Sequence, residues 1–268
     1  MRLALFITCV NDAMAPDTGK ATAAVLRRLG YDLEFPTTQT CCGQPLLNSG
    51  YPRPTMPLVE RFVQTFADYD VVVSPSASCV SMVRETYPRL AADAGGTLAA
   101  DIAALAPRVL ELSELLLDVL KVEDVGAYFP HTVTYHPACH GLRSLHLGDR
   151  YERLLRSVDG LTLLDLPRDE ECCGFGGTFA VKNADVSSAM VGSKVESVLS
   201  SGAQVLSTSD NSCLLNIAGA LVRRDPTVRT MHAAEILATT RADGEAWRRR
   251  LPARAQVPVG AVRPGGAG

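Results

Sequence analysis

Residues 171–179 read ECCGFGGTF and residues 41–45 read CCGQP, so a vicinal cysteine pair followed by glycine occurs twice in this chain. One further cysteine precedes each pair and one follows it. The eight cysteines therefore form two sets, namely Cys9, Cys41, Cys42 and Cys79, and Cys139, Cys172, Cys173 and Cys213. Corresponding cysteines are 130, 131, 131 and 134 residues apart, and no cysteine is left over. This regularity indicates two related halves.

The arrangement of the cysteines favours a metal centre in each half. Four converging thiolates are typical ligands of zinc or of an iron–sulfur cluster. Four-cysteine zinc sites usually contain two C-x₂₋₄-C knuckles, which this chain lacks. Adjacent sulfurs also reach two irons of one cluster more easily than a single tetrahedral ion. We therefore expect all eight cysteines to bind iron–sulfur clusters, with structural zinc, a redox-active dithiol and plain buried thiols as alternatives.

Strands and helices are predicted to alternate in both halves. Short apolar runs predict strands at 3–8, 31–35, 71–74, 133–135, 161–166 and 204–207. Helical spacing predicts helices at 18–29, 56–67, 81–92, 150–158, 185–200 and 214–222, and a helix at 107–121 that bridges the halves. This alternation predicts an α/β fold of two duplicated βαβ-type halves with mainly parallel sheets.

The predicted fold explains how distant cysteines meet. Each cysteine follows the end of a predicted strand, and loops leaving the carboxyl ends of parallel strands gather at one ligand-binding edge. Nearby helix N-termini favour thiolates. We assign residues 1–124 to the first half, 125–241 to the second, and 242–268, rich in Arg, Pro, Ala and Gly, to a disordered tail.

Glycines and histidines next to the cysteines are further candidate site residues. Gly174, Gly176 and Gly177 would let the backbone approach a bulky inorganic ligand, although an ordinary flexible turn is the alternative. His136 and His140 flank Cys139, where a ligand or proton-relay role competes with a structural one. We interpret His232, at a predicted strand-to-helix junction, as a cap or core histidine.

Composition excludes several functional classes. At 268 residues and 47% hydrophobic, the chain can bury one large core or two smaller ones. Its net charge of −3 argues against nucleic-acid binding, and no apolar run reaches the roughly 18 residues of a transmembrane segment. The apolar run at 3–10 follows one basic residue and contains Cys9, so it predicts a strand rather than an export signal. We expect a cytoplasmic protein.

The two CCG stretches resemble the cysteine-rich CCG domain. That domain occurs twice in one of the subunits of heterodisulfide reductase and in the iron–sulfur subunits of glycolate oxidase and anaerobic glycerol-3-phosphate dehydrogenase. Residues 1–240 resemble in particular a stand-alone branch of the family, that of lactate utilization protein A. The resemblance implies one or two [4Fe–4S] clusters on the eight cysteines. It also implies partners like lactate utilization proteins B and C, with which the chain would oxidise L-lactate to pyruvate.

One departure from the family pattern concerns the last cysteine of each set. The fuller pattern ends in C-x-x-C, whereas Ser76 and Asp210 occupy the expected cysteine positions here. Five-cysteine halves can support non-cubane clusters. Four-cysteine halves fit an ordinary [4Fe–4S] cluster better, unless Ser76 or Asp210 supplies an oxygen ligand.

We predict an electron-transfer subunit in the oxidation of a small 2-hydroxy acid, most specifically lactate. The sequence has no nicotinamide or flavin fingerprint, so the two-electron step requires a partner or direct contact between substrate and cluster. No catalytic residue can be assigned. The alternatives are an iron–sulfur subunit acting on glycolate, glycerol-3-phosphate or a heterodisulfide, and a non-catalytic metal-binding or redox-sensing protein.

Overall fold

A computed structural model describes residues 1–94 and 96–243 of the chain. Its strands are β1 Leu3–Leu5, β2 Leu33–Glu34, β3 Val71–Ser74, β4 Val109–Glu111, β5 Thr132–His136, β6 Thr162–Leu164, β7 Val205–Thr208 and β8 Arg229–His232. In this part of the chain they form two sheets, with the orders β2-β1-β3-β4 and β6-β5-β7-β8, and every pairing is parallel. The predicted α/β fold with duplicated halves is confirmed.

In both halves two helices follow each of the first two strands, and the connection from the third strand to the fourth is longer in the first half than in the second. Those of the first half are α1 Cys9–Met14, α2 Pro16–Arg28, α3 Gln44–Asn48, α4 Pro52–Phe66, α5 Ala77–Ser81, α6 Tyr87–Ala94, α7 Leu98–Leu105 and α8 Leu112–Glu114. Those of the second half are α9 Cys139–Arg143, α10 Arg150–Arg156, α11 Phe179–Lys182, α12 Ala184–Ser201, α13 Asn211–Arg224 and α14 Ala233–Ala238. Two π-helical turns, Met82–Thr86 and Leu115–Val119, and a 3₁₀ turn, Ala106–Arg108, complete the described elements.

The central strands are buried because helices cover both faces of each sheet. Every residue of β1, β3 and β7 is buried, as expected for parallel sheets packed between helices. Proline and glycine mark the ends of the long helices. Pro16 and Pro52 stand at the first helical positions of α2 and α4, and Gly30 follows α2 with a φ of 85°.

The predicted helix at 107–121 is wrong for residues 109–111, which form β4, whereas residues 112–119 are helical as α8 and the second π-helical turn. Val109 and Leu110 pair in parallel with Val72 and Val73, which makes β4 the fourth strand of the first sheet. The leucine-rich run has helical spacing, but the open edge of β3 requires backbone hydrogen bonds that only a strand supplies. The last residue of β4, Glu111, then caps α8 by accepting a hydrogen bond from the backbone N–H of Ser113 at 2.7 Å.

Smaller differences concern element ends. The second strand is only Leu33–Glu34, shorter than predicted, and the predicted helix at 81–92 contains the π-helical turn. Helix α7 was not predicted, whereas the predicted strand-to-helix junction at His232 is the junction between β8 and α14. Of the predicted tail, residues 244–268 lie outside the described residues. Within residues 1–94 and 96–243, no helix is long and apolar enough to cross a membrane.

Buried polar side chains join the two halves. The Asn211 Nδ2 amide donates hydrogen bonds to Asn11 Oδ1 at 3.0 Å and to Thr18 Oγ1 at 2.8 Å. The Thr18 hydroxyl in turn donates to Glu235 Oε1 at 2.6 Å. Around this network α2 packs on α14, α1 on α13 and α5 on α9. The helices that carry the cysteines of one half therefore contact the cysteine-bearing helices of the other.

Candidate metal centre

The four cysteines of the first half converge at the carboxyl edge of the first sheet. Cys9 begins α1, Cys41 and Cys42 lie in the loop before α3, and Cys79 lies in α5. Cys9 Sγ is 3.3 Å from Cys41 Sγ, and Cys42 Sγ is 3.4 Å from Cys79 Sγ. The backbone N–H of Gly43 donates to Cys41 Sγ at 3.4 Å. All four thiols are free.

The second half repeats this arrangement. Cys139 begins α9, Cys172 and Cys173 lie in the loop before α11, and Cys213 lies in α13. Cys172 is hydrogen-bonded to Cys139 and Cys173, and Cys173 also to Cys213. The backbone N–H of Gly174 donates to Cys172 Sγ at 3.4 Å, as its counterpart does in the first half. The structure thus brings together every cysteine that the sequence analysis had grouped.

One cavity separates the two cysteine sets. It has a volume of about 150 Å³ and is lined by cysteines of both sets. Gly176 and Gly177 border it on the side of the second half, and Gln44 and Pro45 on the side of the first. Both cysteine sets therefore face one shared cavity. The sequence did not predict this shared cavity.

Each set holds one thiol with a strongly lowered pKa. Hydrogen bonds from Cys42 and Cys9 lower the pKa of Cys41 to about 3, and the Gly43 N–H adds to this effect. In the second set, Cys139 and Cys173 lower the pKa of Cys172 to about 2. The lowered pKa favours the thiolate of the first cysteine in each vicinal pair, and the thiolate is the form that binds metals.

The first glycine after each pair is required by conformation and by space. Gly43 and Gly174 have φ values of 85° and 82°, in the left-handed region. A Cβ on Gly43 would lie 2.7 Å from Thr55 Cγ2, and one on Gly174 would lie 2.8 Å from the Ser187 carbonyl oxygen. Both loops therefore pack directly on the following long helix, which holds the vicinal cysteines in place.

Further along the second loop, a Cβ on Gly176 would lie 2.9 Å from Phe179 Cβ, whereas Gly177 is open. Gly177 has a φ of 64°, and a Cβ there would meet no atom within 4 Å among the described residues. Because Gly177 borders the cavity, its backbone leaves open space beside the cysteines. This is consistent with the predicted close approach of the backbone to a bulky ligand.

The three singled-out histidines occupy different environments. His136 is fully buried, and a ring nitrogen lies within 4.8 Å of Cys173 Sγ and Cys213 Sγ. Burial lowers the pKa of His136 to about 3, so the ring is neutral. His140 lies at the cavity, 3.3 Å from the Gln44 amide nitrogen. His232 caps α14 by accepting from the Ala234 N–H at 3.1 Å, which confirms its predicted role.

Sequence reasoning missed two residues that fix the vicinal pairs. The Tyr87 hydroxyl donates to the Cys42 carbonyl at 2.9 Å, and the Asn216 amide donates to the Cys173 carbonyl at 2.8 Å. The two residues differ in type and in distance from the last cysteine of their set. No pattern in the sequence could therefore have identified them as equivalent.

Ser76 and Asp210, which replace the additional cysteines of the fuller pattern, are both buried and both border the cavity. One oxygen of Asp210 accepts hydrogen bonds from the Ser76 hydroxyl and from the Ser78 N–H. The other accepts from the Ser212 N–H at 3.1 Å. Both carboxylate oxygens are thus engaged by protein donors.

These features define a duplicated, cysteine-rich α/β protein with two thiol sets on one cavity. The model of the cysteine-rich CCG domain matches residues 3–84 and 133–218. The chain therefore belongs to the CCG cysteine-rich domain family.

Curated relatives place the chain more closely within that family. It is 46% identical over 237 residues to a lactate utilization protein A from an Exiguobacterium species, covering 88% of this chain and 96% of the relative. The Bacillus subtilis protein of the same name is 45% identical over 88% of this chain and 99% of its own length. Among solved structures, glutamate racemase RacE1 of Bacillus anthracis matches with a TM-score of 0.34 and 12% identity, over 88% of this chain and 78% of that one. That likeness is too low to support an inference.

Proposed function

We propose that this chain is an iron–sulfur subunit that transfers electrons during the oxidation of L-lactate to pyruvate. The observation that carries the proposal is the convergence of two four-cysteine sets on one cavity. The shared name of the relatives supports lactate as the substrate of the system. The proposed partners are proteins like lactate utilization proteins B and C, and the proposed location is the cytoplasm.

The cysteine contacts fit a multinuclear cluster. Within each vicinal pair the two sulfurs contact different partners: Cys41 contacts Cys9, whereas Cys42 contacts Cys79. A pair divided in this way suits a cluster with several irons better than one tetrahedral ion. One cluster would be held by Cys9, Cys41, Cys42 and Cys79, and a second by Cys139, Cys172, Cys173 and Cys213. When bound, such a cluster accepts and donates single electrons.

The surrounding residues would prepare the thiols for this role. The N–H groups of Gly43 and Gly174 donate to the thiolate sulfurs of Cys41 and Cys172. Such bonds disperse negative charge and favour the reduced state of a centre. Cys42 and Cys173 are almost completely buried, which keeps water away from one side of each set.

A direct test is reduction of the protein by substrate. The anaerobically reconstituted chain would be mixed with B-like and C-like subunits, and the EPR spectrum followed after addition of L-lactate. We expect a reduced-cluster signal with L-lactate that is absent with D-lactate, glycolate or glycerol-3-phosphate. Reduction by dithionite but not by L-lactate would refute the lactate assignment. If only glycolate or glycerol-3-phosphate reduces the cluster, the chain would instead belong to a dehydrogenase system for that substrate.

A further inference from the structure

The buried residues of the helix that follows each vicinal cysteine pair can be aligned between the two halves. Buried positions of α4 recur in α12 at a constant separation of 132 residues. The corresponding residues are Thr55 and Ser187, Val59 and Val191, Phe62 and Lys194, Val63 and Val195, and Phe66 and Val198. In the same way, Phe6 and His136 each lie three residues before the first cysteine of their set.

The first half is aromatic at two of these positions. The rings of Phe6 and Phe62 contact each other edge to face, with centroids 5.0 Å apart. Phe62 also contacts Tyr87 at 5.6 Å, and Tyr87 holds the Cys42 carbonyl. The first cysteine set therefore packs next to an uncharged aromatic cluster of Phe6, Phe62 and Tyr87.

The second half has His136 and Lys194 at the same two positions. Both residues are 0% exposed. The Lys194 ammonium donates to the carbonyl oxygens of Arg168 at 2.6 Å and Asp169 at 3.3 Å. These acceptors are neutral, so they satisfy its protons without cancelling its charge.

The Lys194 ammonium lies beside the loop that carries Cys172 and Cys173, because its two carbonyl acceptors, Arg168 and Asp169, precede Cys172 by four and three residues. Burial lowers the pKa of this lysine, and the carboxylates of Glu171 and Asp169 oppose that shift, followed by the side chains of Cys139 and Cys173. Glu171 and Asp169 are exposed, where solvent screens their charges. The interaction with the cysteines lies in the buried interior, where screening is weaker.

His136 is the second polar group at these two positions. Neither ring nitrogen has a hydrogen-bond partner among the described residues, although the ring is fully buried. A buried imidazole without a partner is costly, which points to a ligand near Cys173 and Cys213.

We infer that the two centres are unequal and that the second, above His136 and Lys194, has the higher reduction potential. This inference rests on the proposed function, because it requires a cluster in each half. An added electron is stabilised by a buried cation and by an imidazole N–H or nitrogen ligand. Phenyl rings at Phe6 and Phe62 offer neither. We expect an added electron to prefer the second centre at least tenfold, which corresponds to about 59 mV for one electron.

The test is an EPR-monitored redox titration of the full chain with Lys194→Met and, as matched control, Phe62→Met. The unmodified protein should give two separate one-electron transitions. Lys194→Met should lower the midpoint potential of the upper transition by an amount that corresponds to at least a tenfold change in the equilibrium constant for reduction. Phe62→Met should leave that midpoint potential unchanged. Lys194→Arg, which keeps the charge, should preserve the separation. His136→Phe, which introduces the residue of the first half, should also lower the upper transition.

Iron and sulfide analysis separates the possible failures. A chain that binds no iron and sulfide after reconstitution overturns the proposed function and this inference together. A fully loaded chain with one unsplit transition overturns only the inference, as does an equal shift of both transitions in Lys194→Met. If Lys194→Met does not fold, Lys194→Arg and His136→Phe decide between the outcomes.

Discussion

The Ser76 hydroxyl donates a hydrogen bond to Asp210 Oδ2 at 3.3 Å, across the boundary between the two halves. These two residues occupy the positions where the fuller family pattern has additional cysteines. The backbone N–H of Ser78 donates to the same oxygen at 3.0 Å. The two replaced positions thus contact each other, and the hydrogen bonds of their oxygens join the halves. This arrangement argues for four-cysteine centres without an oxygen ligand from Asp210.

The Asp210 contact should therefore matter for stability and not for metal content. Asp210→Ala removes the cap of α13 and the acceptor of a buried N–H, so we expect a loss of about 2 kcal/mol in the free energy of unfolding. Urea unfolding under anaerobic conditions measures this. Asp185→Ala, at an exposed position in α12, is the control and should cost less than about 0.5 kcal/mol. Iron loss in Asp210→Ala comparable to that of a cysteine variant would identify Asp210 as a ligand.

Single cysteine variants should empty one half at a time. Cys41→Ser and Cys172→Ser each remove the thiolate with the most strongly lowered pKa in its set. We expect each variant to lose about half of the bound iron and the double variant to lose nearly all of it, as measured by iron and sulfide analysis. Val181→Ser, on the exposed surface of α11, should keep its full iron content. Full iron retention in both cysteine variants would contradict the ligand assignment.

Gly174→Ala should disturb the second cysteine loop. The substitution imposes a left-handed φ on alanine and places its Cβ 2.8 Å from the Ser187 carbonyl oxygen. We expect a loss of about 2 kcal/mol or more in the free energy of unfolding. Gly192→Ala lies in the interior of α12, where among the described residues the new Cβ would meet no atom within 4 Å beyond its chain neighbours and the helix's own backbone, and it should instead stabilise by about 0.5–1 kcal/mol. Equal effects of the two substitutions would rule out the close packing of the loop.

Glu111 should make stability depend on pH. Burial raises the pKa of this carboxyl from 4.5 to about 7, against hydrogen bonds from Ser113 and Tyr151. The folded state therefore binds the proton more tightly, so the contribution is complete below pH 4.5 and is lost as the pH rises through about 7. Between these limits, the stability difference between the unmodified protein and Glu111→Gln should fall by about 3 kcal/mol.

Chemical denaturation at several pH values measures the Glu111 effect. Comparing the protein with its Glu111→Gln variant cancels the opposite contributions of His136 and His232, whose pKa values burial lowers. Glu123→Gln, in an exposed ion pair with Arg153, is the control and should leave the pH dependence unchanged. A difference that stays constant with pH would show that Glu111 has the same pKa in both states.

The sequence predicted the features that depend on local pattern. Alternating apolar runs indicated the parallel sheets, and the repeated spacing grouped Cys9 with Cys79 and Cys139 with Cys213. The role of the residues at 107–121 could not be predicted, because β4 forms only by pairing with β3, and helical spacing in an apolar run does not record that partner. The shared cavity and the contact between Ser76 and Asp210 depend on how the halves pack. The burial of Lys194 could not be predicted either, because a single lysine in an amphipathic helix usually faces solvent.

The central claim is that each cysteine set holds an iron–sulfur cluster. Its most direct test is the iron, sulfide and zinc content of anaerobically purified protein, with EPR spectra before and after dithionite. The account predicts iron and sulfide in nearly equal amounts, about eight of each per chain if both halves hold [4Fe–4S] clusters, and a cluster signal on reduction. Zinc alone, or no metal after anaerobic reconstitution, would contradict it.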